Sequence, residues 1–367
     1  MIDMDSLFAV CNLEGTILNG WRVISRIPAP DPAKNETGGN FSICYIVEKD
    51  GVECFMKVLD LRKCNMGPLP RGMSRSLFIE KCTREFNYEK ALSSYCGNKR
   101  IKGVISYIES GEEILDGFLF KDVPYIIYEK AEGDIRKILN LSKRIVFSEK
   151  LKSISLRLKS LHDVAVGLQQ LHKNDISHQD MKPSNILSVN NQSKIGDLGR
   201  SLCLSPDINC PYPFDFNGDF NYAPPEAFFS RGIKKDKSEL YKMDSYMLGS
   251  LIVFFICGVS FNTMMNNHLP VTIRDMVASG KTYEDAKIDL TNAYHEALLD
   301  FEKDIPLEDI RVELTHIVEY LCNPDVERRG HPINLSANTR TPDYDLIRTY
   351  TELDKLYRKA EIGLLKK

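Results

Sequence analysis

His178-Gln179-Asp180-Met181-Lys182-Pro183-Ser184-Asn185, followed after a short apolar run by Ile195-Gly196-Asp197-Leu198-Gly199, decides how this chain is read. Asp180, Lys182, Asn185 and Asp197 are polar groups set between apolar runs such as Ile186 to Val189. A plain apolar strand needs none of the four, whereas phosphoryl transfer from a nucleotide needs them all. One carboxylate must orient an attacking hydroxyl and accept its proton, and a cation must meet the charge spreading over the moving phosphoryl. A second carboxylate and an amide oxygen form an oxygen-rich pair that suits hard Mg²⁺ better than zinc or copper.

Composition limits what surrounds this stretch. The chain has 367 residues, enough for two lobes or two ordinary domains. Hydrophobic residues make up 43% and charged residues 27%, which reads as globular. A net charge of −3 asks for neither nucleic acid nor an anionic membrane surface as partner. Ten cysteines are scattered without C-x-x-C pairs or metal-ligand spacing, which suits a reducing compartment rather than a disulfide framework. The first residues carry Asp3, Asp5 and Glu14 and lack a basic segment of the signal-peptide kind. The longest apolar run, Met247 to Phe261, is about fifteen residues against the roughly 20 that span a bilayer, and it reads as a helix buried on all sides. Together these features predict a cytoplasmic protein.

The quoted stretch resembles the catalytic loop and metal-binding loop of eukaryotic-like protein kinases, H-R-D-x-K-P-x-N and D-F-G. That resemblance implies an α+β, bilobal protein-kinase-like fold. A small antiparallel β-sheet lobe would carry one helix, and a larger lobe would be mainly helical. It further implies ATP and Mg²⁺ as cofactors. Asp180 would be the base, Lys182 would contact the transferring phosphate, and Asn185 and Asp197 would hold metal.

The preceding sequence fits the small lobe. Trp21 to Ile27 reads as a first strand, and Phe41 to Val47 and Val52 to Leu59 as two more, joined across Asp50-Gly51, a strong hairpin signal. Thr37-Gly38-Gly39-Asn40-Phe41-Ser42-Ile43-Cys44 resembles the kinase glycine-rich loop, with Gly39 at the second glycine and Cys44 at the valine. Lys57 resembles the lysine of V-A-I-K, with Phe55 where the family usually has a small alanine. Leu77 to Tyr95 has helical spacing, and on it Glu85 resembles the helix glutamate that pairs the lysine, with Glu80 and Glu89 as rivals. Cys64 to Met73 reads as a loop. Val104 to Ile108, Gly117 to Phe120 and Pro124 to Tyr128 read as the remaining strands.

Tyr128 to Asp134 resembles the hinge, where backbone groups at Glu129 and Ala131 would meet adenine, Tyr128 would be the gatekeeper and Asp134 would approach the ribose. Leu187 would form the apolar floor beneath the base. Ser153 to His172 is an amphipathic helix leading into the quoted stretch, and Asn190-Asn191 turns a hairpin between Asn185 and Asp197. Tyr222-Ala223-Pro224-Pro225-Glu226 resembles the Y-x-A-P-E that closes the activation segment. Its tyrosine is of the serine/threonine-kinase kind, and Asp219 stands where a threonine is usual. Asp244 resembles the aspartate that braces the catalytic loop, and Arg329 the arginine that pairs Glu226. Tyr344 to Leu364 reads as a further helix. The expected organisation is an extension over 1–20, a small lobe over 21–131, a large lobe over 132–335 and a helical extension over 336–367.

The resemblance thus implies a serine/threonine protein kinase acting on proteins, itself included. Gln179 stands where many kinases carry an arginine that pairs an activation-segment phosphate, which predicts turnover independent of phosphorylation there. Two alternatives stay open. Small-molecule kinases share H-x-D, the asparagine and the metal aspartate, but Lys182-Pro183, Pro224-Pro225-Glu226 and Asp244 belong to kinases of protein substrates. A nucleotide-binding scaffold would suit Phe55 and Thr37, yet has little need of Lys57, Asp180, Asn185 and Asp197 together.

Overall fold

The structure is a computed structural model that describes residues 4–28, 41–139, 150–212, 216, 218–228, 236–274, 282–336 and 340–365. The chain divides into two units. One comprises Met1–Ile101, Ile105–Ala131 and Pro206–Pro211, and the other Lys102–Val104, Glu132–Ser205 and Tyr212–Lys367.

In the first unit, β1 (Ile17–Leu18), β2 (Trp21–Arg26), β3 (Ser42–Lys49) and β4 (Val52–Leu59) precede α1 (Arg62–Met66) and α2 (Arg75–Asn98). Two further strands, β5 (Tyr107–Ile114) and β6 (Asp122–Glu129), complete an antiparallel sheet of order β1-β2-β3-β4-β6-β5. Asp50 and Gly51 sit at φ 56° and 79°, the left-handed pair a tight two-residue hairpin requires, so β4 folds straight back on β3. Alternation then sorts the side chains. Ile43, Tyr45, Val47, Cys54, Met56 and Val58 are buried on one face, while Cys44, Phe55 and Lys57 occupy the other.

The apolar face is covered by the residues expected as an extension. Phe8, Ala9, Val10, Leu13 and Leu18 join Trp21, Tyr45, Met56 and Tyr125 in one core. Phe8 stacks on Phe120 with ring centroids 4.2 Å apart, and the Tyr45 hydroxyl donates to the Val10 carbonyl at 2.8 Å. Behind the opposite face, Phe86 of α2 packs with Leu59 and Ile126. Helix α2 is capped by Ser74 and runs further at both ends than the expected Leu77 to Tyr95. Three expectations are corrected. Part of the presumed loop after Cys64 lies in α1, and the strand expected over Val104 to Ile108 begins only at Tyr107. Gly117 to Phe120 forms no strand either, because Gly117 at φ 94° reverses the chain and only Phe120 bridges, to Phe8. The strand before that turn, β5, is the acidic sheet edge with Glu109, Glu112 and Glu113, so it lacks the apolar run that marks a strand.

The second unit opens with β7 (Gly133–Asp134), α3 (Ile135–Ile138) and α4 (Lys150–Lys173). Short strands follow: β8 (Ile176–Ser177), β9 (Ile186–Val189), β10 (Gln192–Ile195) and β11 (Leu202–Cys203). The rest is helical: α5 (Pro225–Phe228), α6 (Lys237–Cys257), α7 (Phe261–His268), α8 (Val271–Arg274), α9 (Tyr283–Asp304), α10 (Glu308–Leu321), α11 (Pro332–Leu335) and α12 (Ile347–Leu365). Asp236 caps α6, and Gly258 at φ 78° ends it. At 21 residues α6 is longer than the apolar run suggests, since it starts at Lys237, and Phe261 belongs to α7. By length and composition α6 would reach across a membrane, but it is buried inside the protein as its core helix. Helix α12 packs along α4, and its Leu353, Leu356 and Ala360 are buried.

Candidate active site

Asp244, wholly buried in α6, builds the loop that follows β8. Its carboxylate accepts the backbone N–H groups of His178 and Gln179, each at 2.8 Å, and the Ser177 hydroxyl at 2.9 Å. His172 Nε2 of α4 lies 2.9 Å from the same carboxylate. These bonds hold Gln179 at φ 64°, a left-handed conformation that costs a non-glycine residue on the order of 1 kcal/mol. The Asp180 N–H meets His178 Nδ1 at 3.2 Å, which puts the ring proton on Nε2, 3.1 Å from the Gly196 carbonyl. One histidine thereby ties the loop to the residue before Asp197.

Asp180, Lys182 and Asn185 converge. The buried Asp180 carboxylate takes Lys182 Nζ at 3.0 Å and Asn185 Nδ2 at 3.2 Å through Oδ2. Asn185 Nδ2 also donates to the Asp180 carbonyl at 2.8 Å. Burial pushes the Asp180 carboxyl above its ordinary range, the ammonium of Lys182 pulls it back, and the charge of Asp197 adds to the rise.

The hairpin β9–β10 sets Asp197 relative to this group. Asn190 and Asn191 turn it at φ 50° and 61°, and the Gly196 N–H donates to the Asn185 carbonyl at 2.8 Å. Asp197 itself is exposed, with φ 56° and ψ 74°, and heads a 3₁₀ turn over Leu198–Arg200. Leu187, on β9, packs where a Cβ on Gly196 would stand.

Asp219 completes the group from the far end of the activation segment. Its N–H donates to Asp180 Oδ1 at 2.8 Å, and its carboxylate is 3.9 Å from Lys182 Nζ. The chain reaches this position only because residue 218 is glycine: a Cβ there would lie 2.0 Å from the Gln179 carbonyl oxygen. Behind it, Glu226 and the fully buried Arg329 form a two-pronged pair at 2.6 and 2.9 Å.

In the first unit, Lys57 pairs with Glu89 and not with the expected Glu85. Nζ lies 2.7 and 2.8 Å from the two Glu89 oxygens, while Glu85 sits 3.8 Å from Lys81. Helical phase does not separate the two glutamates, since residues four apart share a helix face. They differ in position along α2, Glu89 standing one turn further on, at the level of Lys57. Sequence reasoning also missed the Tyr128 hydroxyl, which donates to Glu89 at 3.2 Å and lies 3.0 Å from the Ser93 hydroxyl.

Cys44 stands directly across from Lys57 on β3, and Phe55 across from Tyr128 on β6, so the expected residues share the Lys57 face. Glu129 ends β6 with its carboxylate on the Ser106 N–H at 2.7 Å, and Ala131 follows it. Asp134 is taken up elsewhere: its side chain caps α3 through the N–H groups of Arg136 and Lys137. Gly39 lies outside the described residues.

The oxygen donors fit Mg²⁺. Asn185 turns its amide nitrogen toward Asp180, which leaves Oδ1, 3.5 Å from the Ser184 hydroxyl, as its oxygen ligand, and Asp197 is exposed. Two such ligands are what Mg²⁺ takes from a protein when phosphates and water supply the rest. No group of three or more His, Cys, Asp or Glu that would hold a metal by itself occurs among the described residues.

Comparison with known proteins gives the family. The protein kinase domain family model matches residues 40–335. Inhibitor of nuclear factor kappa-B kinase subunit alpha of Gallus gallus is 31% identical over 179 residues, 47% of this chain and 21% of that protein. Aurora kinase of Schizosaccharomyces pombe is 30% identical over 257 residues, 69% of this chain and 58% of that protein. The chain thus spans about a fifth of the first relative and somewhat over half of the second. With its β-sheet unit, its helical unit and the Asp180 loop in place, the chain belongs to the protein kinase domain family.

Proposed function

We propose that this kinase transfers the γ-phosphoryl of ATP to serine or threonine hydroxyls of proteins, its own chain included, in the cytoplasm. The observation that carries the reading is the Asp180 carboxylate, held by the Asp219 N–H and by Asn185 and contacted by Lys182 at 3.0 Å. A carboxylate fixed in this way is suited to orient an acceptor hydroxyl and take its proton. Lys182 sits beside it, suited to meet charge on the transferring phosphoryl. Mg²⁺, held by Asn185 and Asp197, would neutralise the nucleotide's phosphates when bound. Lys57, steadied by Glu89, is the cation for the α- and β-phosphates. Tyr222 in the closing motif supports serine/threonine acceptors. The fully buried Gln179 offers no charge to a phosphate, which supports turnover independent of activation-segment phosphorylation.

A scaffold role is favoured by one feature, Phe55 on the Lys57 face. Intact mass separates the two readings. The protein is incubated with ATP, Mg²⁺ and an unrelated acceptor protein, beside Asp197→Asn. Phosphate added by the wild type alone, mapped to serine and threonine, supports the proposal. Nucleotide binding without any added phosphate supports the scaffold.

A further inference from the structure

The segment after Asp197 is tied down by its own hydroxyl groups. The 3₁₀ turn Leu198–Arg200 bonds the Ser201 N–H to the Leu198 carbonyl at 3.0 Å, and its last carbonyls point out of the turn without a partner inside it. The Tyr212 hydroxyl donates to one of them, the Gly199 carbonyl. Tyr212 is only 8% exposed, so water has little access to replace that donor. Ser201, fully buried, donates to the His178 carbonyl at 3.3 Å. Strand β11 pairs with β8, and the Leu204 N–H meets the Asp175 carbonyl at 2.7 Å.

We propose that Tyr212 is a positioning residue for the metal-binding loop, and that its hydroxyl keeps Asp197 in the conformation that holds Mg²⁺. The inference rests on the reading of Asp197 as a metal ligand. Asp197 at φ 56° is a left-handed aspartate, a conformation that persists only when the chain on both sides is fixed. On the amino side the fixing comes from the hairpin and the His178–Gly196 contact. On the carboxyl side the tether on Gly199, two residues on, sets the peptide planes that follow. Without the hydroxyl, the Gly199 carbonyl loses this donor and Asp197 is free to relax toward extended backbone. Tyr212 and Ser201 are both hydroxyl side chains on this segment. Because their oxygens are spent as buried donors, a phosphate on Tyr212 would act like loss of the tether and weaken the site.

The test uses the full chain with Tyr212→Phe, and Tyr357→Phe on α12 as control. Two quantities are read: the Mg²⁺ concentration for half-maximal transfer at fixed ATP, and hydrogen exchange of residues 198–205 without nucleotide or metal. In Tyr212→Phe the half-maximal Mg²⁺ concentration should rise about 3- to 10-fold, the size expected for one buried hydrogen bond. The rate at saturating Mg²⁺ should stay within about 2-fold, since the groups that contact substrate are untouched. Exchange at 198–205 should quicken, and the control should change neither quantity. Unchanged Mg²⁺ dependence overturns the inference, whether or not exchange quickens, because a tether with a merely structural role would leave that dependence alone. If the wild type transfers no phosphate at any Mg²⁺ concentration, the proposed function fails. In that case Mg²⁺ binding followed through protection of 198–205 decides the inference by itself: weaker protection in Tyr212→Phe supports it, and equal protection overturns it.

Discussion

Both carboxylate oxygens of Glu89 lie within hydrogen-bond distance of Lys57 Nζ, at 2.7 and 2.8 Å, and the Tyr128 hydroxyl steadies the same carboxylate. The pair is largely buried, with 16% of the lysine side chain and 8% of the glutamate exposed. A lysine placed this way depends on its partner for both its charge and its direction. Glu89→Gln should therefore cost about 10²-fold in kcat/KM for ATP, the scale expected when a phosphate-positioning group is misplaced. Glu85→Gln should change activity little and stability by less than about 0.5 kcal/mol, as for other i,i+4 ion pairs on a helix. Steady-state kinetics on the two variants check both outcomes, and equal effects would contradict the assignment.

The environment of Asp180 sets a pH dependence. Its carboxyl is raised by burial and lowered again by Lys182, so the acid limb of kcat/KM should lie above the range of an ordinary aspartate. Lys182→Met removes the lowering charge, and the limb should move to still higher pH. The stability sign follows from the same shift. The unfolded chain releases this proton first as pH rises, so the Asp180 contribution to stability is greatest at low pH. It declines through the window between the ordinary value and the raised one. A pH–rate profile for the variant that moved to lower pH would contradict this account.

Phe55 shares the sheet face of Lys57, and its ring centroid lies 6.5 Å from that of Tyr128. If that face receives the nucleotide base, Phe55→Ala should tighten ATP binding by up to about 10-fold, within the 1–3 kcal/mol that relief of overpacking returns. Isothermal titration with an ATP analogue measures it, and weaker binding would instead make Phe55 a stacking partner.

The loop between β8 and β9 was legible in the sequence because its polar residues bond within that one short loop and to one buried helix. Asp180, Lys182 and Asn185 span six positions and meet in space. The Lys57 partner was harder to read. Three carboxylates, at 80, 85 and 89, lie on one helix, two of them on the same face, and only the placement of α2 along the sheet sets which turn stands level with Lys57. The N-terminal core was not legible at all. Two short 3₁₀ turns and a two-residue strand carry no periodicity, and their burial becomes evident only against the completed sheet.

That core gives a further prediction. Phe8 is 2% exposed and stacked on Phe120, so Phe8→Ala should destabilise the protein by about 3–5 kcal/mol, as other large-to-small core changes do. Chemical denaturation would register this as a lower midpoint. A change below about 1 kcal/mol would fit an exposed substitution and not a core residue.

Whether Asp180 serves as the base of this protein kinase is tested by comparing Asp180→Asn with the wild type. Initial rates of phosphate transfer to an acceptor protein are followed at saturating ATP and Mg²⁺, beside nucleotide affinity. In Asp180→Asn, kcat should fall about 10²- to 10⁴-fold, the usual contribution of a positioned general base, with nucleotide affinity within a few-fold of wild type. An unchanged kcat would contradict it.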